Sequence, residues 1–116
     1  MATRPIPQAV DDLRMDASSA NRNTVLTCTG KLVMSTTHLF TDEVKLWLEC
    51  SSTIAIDLAG LTYMDSAGLG ALISAYTSAK HAGCEFRLTN VTMRVMHLLQ
   101  LTNLDKVLKT TTENLL

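Results

Sequence analysis

The stretch Met64-Asp65-Ser66-Ala67-Gly68-Leu69-Gly70 sets a hydroxyl beside a carboxylate and just ahead of two glycines. Three kinds of site can be tested on that spacing. A serine hydrolase elbow needs glycine two residues before the nucleophile so that a strained strand-to-helix turn can form, and Met64 stands there. A phosphate-binding P-loop needs Lys and then Ser or Thr after its second glycine, and no Lys follows Gly68 or Gly70. Gly68-x-Gly70 begins like a dinucleotide fingerprint, but Ile73 occupies the place of the third glycine. None of these motifs is met, and no cofactor is expected. Asp65 and Ser66 then have two readings. They can cap a helix, since both types are favoured N-caps, or the hydroxyl can have a role of its own; on local sequence alone capping is the commoner one. The two glycines sit badly in a helix, at about 1 kcal/mol each against alanine. That disadvantage points to close packing or a partner contact.

Other chemistry-bearing residues are scattered. His38, His81 and His97 lie far apart without neighbouring ligands at metal spacing, so no metal site is expected. Cys28, Cys50 and Cys84 are odd in number and match no Cys-x-x-Cys pattern. They read as reduced core thiols, because free Cys behaves as a small hydrophobe. Met93 and Met96 suit either a soft contact patch or gap filling, the commoner use. Trp47 is expected in the core.

The elements that must position Asp65 and Ser66 follow from periodicity. Pro5 and Pro7 mark an irregular start, and Val10, Leu13 and Met15 alternate loosely, as an edge strand does. Ser18 to Asn23 is a cluster of turn formers, and Thr24 to Thr29 is a β-branched strand ended by Gly30, which together predict a hairpin. Ser35, Thr36 and Thr37 offer caps for a helix to about Cys50, with Phe40, Val44, Trp47 and Leu48 on one face. Thr53 to Leu58 reads as a central strand, followed by a turn through Gly60. A second helix opens at Asp65-Ser66 with Leu69, Leu72, Ile73, Tyr76 and Ala79 as its apolar stripe, and Gly83 closes it. Cys84 to Thr89 alternates as a strand. Asn90 or Thr92 caps a third helix to about Gln100, broken by Asn103. Lys106 to Thr110 is a candidate last strand and Glu113 to Leu116 a stub of helix.

Strands alternating with helices imply parallel strands joined by right-handed crossovers. Such sheets carry functional loops at the carboxyl ends of their strands. The segment after Leu58 is therefore the first place to look for chemistry.

Composition narrows the function classes. The 116 residues are 47% hydrophobic and 18% charged, with 10 Lys+Arg against 11 Asp+Glu and a formal charge of -1. One domain of this size can bury a core without staples. No basic run longer than one residue occurs, so nucleic acid is not an expected partner. The uncharged stretch Ser66 to Ala79 falls short of the ~20 residues needed to cross a bilayer. Met1 to Pro5 opens no signal-peptide-like apolar segment. Membrane insertion and export are not expected; a cytoplasmic location is.

Ile56-Asp57-Leu58 followed by Tyr63-Met64-Asp65-Ser66-Ala67-Gly68-Leu69-Gly70 resembles the STAS domain of bacterial anti-sigma factor antagonists. The similarity extends over nearly the whole chain. Gly30-Lys31-Leu32 resembles the family's earlier Gly-acidic-Leu strand end, and Arg94 to Leu104 its late helix and following turn. The resemblance implies an α/β fold with a mixed, mostly parallel sheet of four to five strands and helices mainly on one face. Residues 1–8 would be an irregular segment and 9–116 the single domain.

The resemblance also implies a non-enzymatic, phospho-switched binding module. Its acceptor would be Ser66, the only hydroxyl in the motif, since Ala67 stands where many relatives carry a second serine. The unmodified form would bind an anti-sigma factor that is also a serine kinase and so free the sigma factor. Phosphorylation would break the complex, and a serine phosphatase would reset it. Partner contacts would come from Asp65, Ser66, Ala67, Gly68 and Leu69, with Ser35, Thr36 and Thr37 either beside them or simply capping. Lys31 and Val33 depart from the family's acidic positions, which bears on partner choice. The alternatives are a scaffold subunit of a larger signalling assembly, a transporter-accessory subunit and, last, a serine hydrolase using Ser66.

Overall fold

Residues 2–5, 12–106 and 110–111 are described by the computed structural model. Among the described residues six strands pair in chain order: β1 (Ala2–Pro5), β2 (Leu13–Ala20), β3 (Asn23–Leu32), β4 (Thr53–Met64), β5 (Glu85–Thr89) and β6 (Thr110–Thr111). The first two pairings are antiparallel and the remaining three parallel. Helices α1 (Thr37–Leu48), α2 (Ser66–His81) and α3 (Met93–Leu101) make the crossovers that parallel pairing demands.

Alternate residues of each long strand are buried, such as Leu13, Met15 and Ala17 on β2 and Ile54, Ile56 and Leu58 on β4. These side chains form one cluster with Phe40 and Val44 of α1, Leu72 and Ala75 of α2, and Val95 and Leu99 of α3. The helices therefore lie on one face. The other face is polar and partly open, with Arg14, Asp16, Thr27, Asp57 and Arg87 on it. On α2 the buried line is Gly68, Ala71, Leu72, Ala75 and Ala79, shifted from the expected stripe. Small residues let the helix approach the sheet, while Leu69, Ile73 and Tyr76 flank the contact half-buried; the Tyr76 ring meets Phe86 edge-on at 6.2 Å.

Several boundaries differ from expectation, each for a local reason. Ala2–Pro5 is a strand paired with Pro5↔Asp16 at one end, where an irregular start was expected. Of the turn formers at 18–23, only Asn21 and Arg22 make the turn, with φ of 54° and 65°. A two-residue hairpin loop matched to strand twist requires this geometry. Gly30 and Gly60 end no strand. Pairing runs on to Leu32↔Met64 through register shifts at Thr27/Thr29 and Gly30/Lys31. Gly30 has φ 108°, and a Cβ there would lie 2.2 Å from the Asp12 carbonyl oxygen. It is a bulge position, which glycine serves inside strands. Gly83 (φ 73°) and Asn103 (φ 61°) do follow the ends of α2 and α3. Of the expected strand over Lys106 to Thr110, Thr110 opens β6 and Lys106 instead closes a 3-10 turn (Leu104–Lys106), while residues 107–109 lie outside the described residues. The stub of helix at Glu113 to Leu116 lies outside the described residues, as does Val10.

Candidate functional site

The overrun of β3 and β4 delivers Leu32 and Met64 to the carboxyl end of the sheet, where α2 begins. Asp65 is the N-cap of α2 and Ser66 its first residue. One carboxylate oxygen of Asp65 accepts the Gly68 amide at 2.8 Å, and the other accepts the Met34 amide at 3.1 Å. Its own amide donates to the Leu32 carbonyl at 3.3 Å. The Asp65 side chain thus holds the helix start and the loop after β3, and its backbone amide ties the helix start to the end of β3. The Gly68 amide lowers the Asp65 pKa most; burial opposes this, and the amides of Met34, Ala67 and Asp65 itself add to the lowering. Asp65 is a carboxylate at neutral pH.

Ser66 is exposed, and its hydroxyl makes no hydrogen bond among the described residues. Capping and hydroxyl chemistry, left as alternatives by the sequence, are thus divided between neighbours: Asp65 caps and Ser66 is free. Gly68 is buried because the helix presses on β3; a Cβ would lie 2.1 Å from the Leu32 oxygen and 2.7 Å from Met64 Cγ. Gly70 has no such reason. It is exposed, with nothing within 4 Å of an added Cβ, one turn along from Ser66.

The expected contact residues separate accordingly. Ser66 and Ser35 are exposed, while Asp65, Ala67, Leu69 and Thr37 are half-buried. Gly68 faces inward. Thr36 is 4% exposed. Its hydroxyl donates toward the carbonyls of Lys31 (2.9 Å) and Val33 (3.1 Å) and accepts the Val33 amide at 2.9 Å. It sits at the N-cap of α1 but makes no side-chain cap bond, because its oxygen is spent folding the loop backwards. Neither Thr36 nor Gly68 presents a side chain to a partner.

Apolar exposure around Ser66 had no counterpart in the sequence reading of Met34 and Tyr63. Met34 is 76% exposed and Tyr63 45% exposed. Met93, where gap filling was the commoner expectation, is 88% exposed, whereas Met96 packs half-buried against the core. Near the end of β4 only Thr62 and Tyr63 are exposed, between the buried Leu61 and Met64, so Tyr63 opens outward from a strand end that is itself packed. Trp47 is half-buried, its indole donating to the buried Glu43 carboxylate at 3.1 Å. Cys28 and Cys84 are buried, but Cys50, expected in the core, is exposed just after α1. Among the described residues no helix is long and apolar enough to cross a membrane.

Comparison with known proteins agrees with this architecture. An anti-sigma factor antagonist from Mycobacterium paratuberculosis superposes with a TM-score of 0.77 at 19% identity, over 88% of this chain and 87% of that one. SpoIIAA of Bacillus, an anti-sigma factor antagonist solved in its unphosphorylated and phosphorylated forms, gives 0.71 and 0.67 at 19% and 18% identity. These matches cover 85% of this chain and 89% and 92% of SpoIIAA. A sulfate transporter family protein from Wolinella succinogenes gives 0.67 at 15% identity, over 82% of this chain and 80% of that one. The STAS domain family model matches residues 14–115, nearly the whole length, and the chain belongs to the STAS domain family.

Proposed function

We propose that this protein is an anti-sigma factor antagonist switched by phosphorylation of Ser66. The observation that carries the reading is the exposed, unbonded Ser66 hydroxyl at the first residue of a helix whose capping is done by Asp65. Unmodified, the protein binds an anti-sigma factor with serine kinase activity and so releases the sigma factor. Phosphorylated, it lets that partner go, and a serine phosphatase restores it.

The physics of such a switch is local. The first-turn amides of a helix and its dipole favour an anion, so a phosphate on Ser66 leaves the domain folded. The change lies at the surface, where about −1.5 to −2 charges replace a neutral hydroxyl. At ~5 Å from a partner carboxylate that charge costs roughly 2–6 kcal/mol for effective dielectrics between ~80 and ~20. Asp65, already ionised next door, adds to the negative field. Because both its oxygens are engaged by backbone amides, Asp65 positions the serine rather than acting as a free base toward it.

The variants Ser66→Asp and Ser66→Ala test the reading with the anti-sigma factor recovered from the native host. Ser66→Ala keeps the Asp65 cap and is expected to bind; Ser66→Asp is expected not to. Equal binding by both would refute the switch. The alternative of a scaffold or transporter-accessory subunit is supported by the likeness to the sulfate transporter family protein, which extends to the fold. It predicts a stable higher-mass assembly indifferent to Ser66, readable by size measurement.

A further inference from the structure

Beside the Ser66 site, the end of β4 and one flank of α3 enclose an open groove of about 520 Å3 lined by Tyr63, Met64, Met93, Arg94, His97 and Leu98. The α3 residues fall at i, i+1, i+4 and i+5, a single side of the helix. The two most exposed large apolar side chains among the described residues, Met93 and Met34, both lie at this end of the molecule, with Tyr63 beside Met93 in the groove. Methionine at such exposure suits adaptable contact surfaces. Met64 joins the groove to the switch, because its side chain lines the one and lies under Gly68 in the first turn of the other. The lining carries the Arg94 guanidinium and no carboxylate, and among the described residues Arg94 makes no ion pair.

We propose that this groove docks an acidic, amphipathic segment of a protein partner, with an apolar side chain between Tyr63 and Met93 and a carboxylate on Arg94. The proposal builds on the reading above in that the partner covering Ser66 is the one that reaches the groove. A guanidinium at the edge of an apolar cleft meets a carboxylate as a bidentate, partly desolvated pair, which gives register as well as attraction. The groove then supplies affinity that does not depend on the serine, while Ser66 supplies the switch.

The test uses the whole 15N-labelled protein and two blocked hexapeptides, one alternating leucine with glutamate and the other leucine with lysine. The glutamate peptide is expected to shift the amides of Tyr63, Met93, Arg94 and Leu98 and to bind at least about tenfold tighter than the lysine peptide. Arg94→Glu is expected to reverse that preference. No shift at these amides, or equal binding of both peptides, overturns the proposal. So does concentration-dependent self-association that Arg94→Glu abolishes, since the occupant is then a second copy of the chain. With the anti-sigma factor itself, unchanged binding by Arg94→Glu alongside loss in Ser66→Asp overturns the groove and leaves the switch. Weakened binding by Arg94→Glu with no effect of Ser66→Asp supports the groove and removes the switch.

Discussion

Gly68 and Gly70 lie two residues apart in one helix, yet alanine at each is expected to act with opposite sign. Helix propensity alone would favour either change by about 1 kcal/mol. At Gly70 nothing lies within 4 Å of the added methyl, so that gain is realised. At Gly68 the methyl would stand 2.1 Å from the Leu32 carbonyl oxygen and 2.9 Å from its carbon. Met64 can swing aside, but that carbonyl belongs to β3 and accepts the Asp65 amide, so the helix start must lift off the sheet. Overpacking costs about 1–3 kcal/mol, and a clash with backbone belongs at the upper end. Set against the propensity gain, Gly68→Ala should lose about 2 kcal/mol, leaving the two variants about 3 kcal/mol apart. Urea unfolding followed by circular dichroism measures both on one scale. Changes of the same sign would refute the packing account of the motif. Gly70→Ala carries a functional readout as well: bare backbone one turn from Ser66 is expected to be partner contact, so the stabilised variant should bind the anti-sigma factor more weakly.

Asp65 gives a pH prediction. Its folded pKa lies below the ordinary carboxylate range, so the unfolded chain binds the proton first as pH drops. The stability it contributes is complete above about pH 4–5 and is lost as pH falls through the lowered folded value. The stability difference between wild type and Asp65→Asn should therefore be flat at neutral pH and shrink in acid. Hydrogen exchange of the Met34 amide should also quicken in Asp65→Asn; an unchanged Met34 rate would show that the carboxylate does not hold the loop. The thiols offer a third check. Cys28 is fully buried with its pKa pushed up to about 12, and burial also raises Cys84, while Cys50 is exposed. A thiol reagent at pH 8 should label Cys50 rapidly and Cys28 only on denaturation. Labelling of Cys28 as fast as Cys50 would contradict the packing of β3.

The strand and helix succession was legible in the residues because periodicity and caps are local: Asp65 before α2, Gly83 after it, and the alternation in Glu85–Thr89. What escaped was set by distant contacts. Gly30 and Gly60 look like terminators in isolation, and only the pairing of β3 with β4 turns them into bulge and close-approach positions. The division of labour between Asp65 and Ser66 likewise depends on Met34, 31 residues away, which occupies the second carboxylate oxygen. Thr36 read as a partner contact or a cap because its type caps helices; it is buried because the loop folds back onto Lys31 and Val33. Met34 carries no local mark of its exposure, and for Met93 a contact patch was the less common of two readings open in the residues.

The affinity of the anti-sigma factor for this protein, with serine and then with phosphoserine installed at position 66, decides the matter most directly. Repulsion of roughly 2 kcal/mol or more predicts at least about thirtyfold weaker binding of the phosphorylated form. Two equal dissociation constants would mean that the hydroxyl at the head of α2 controls nothing.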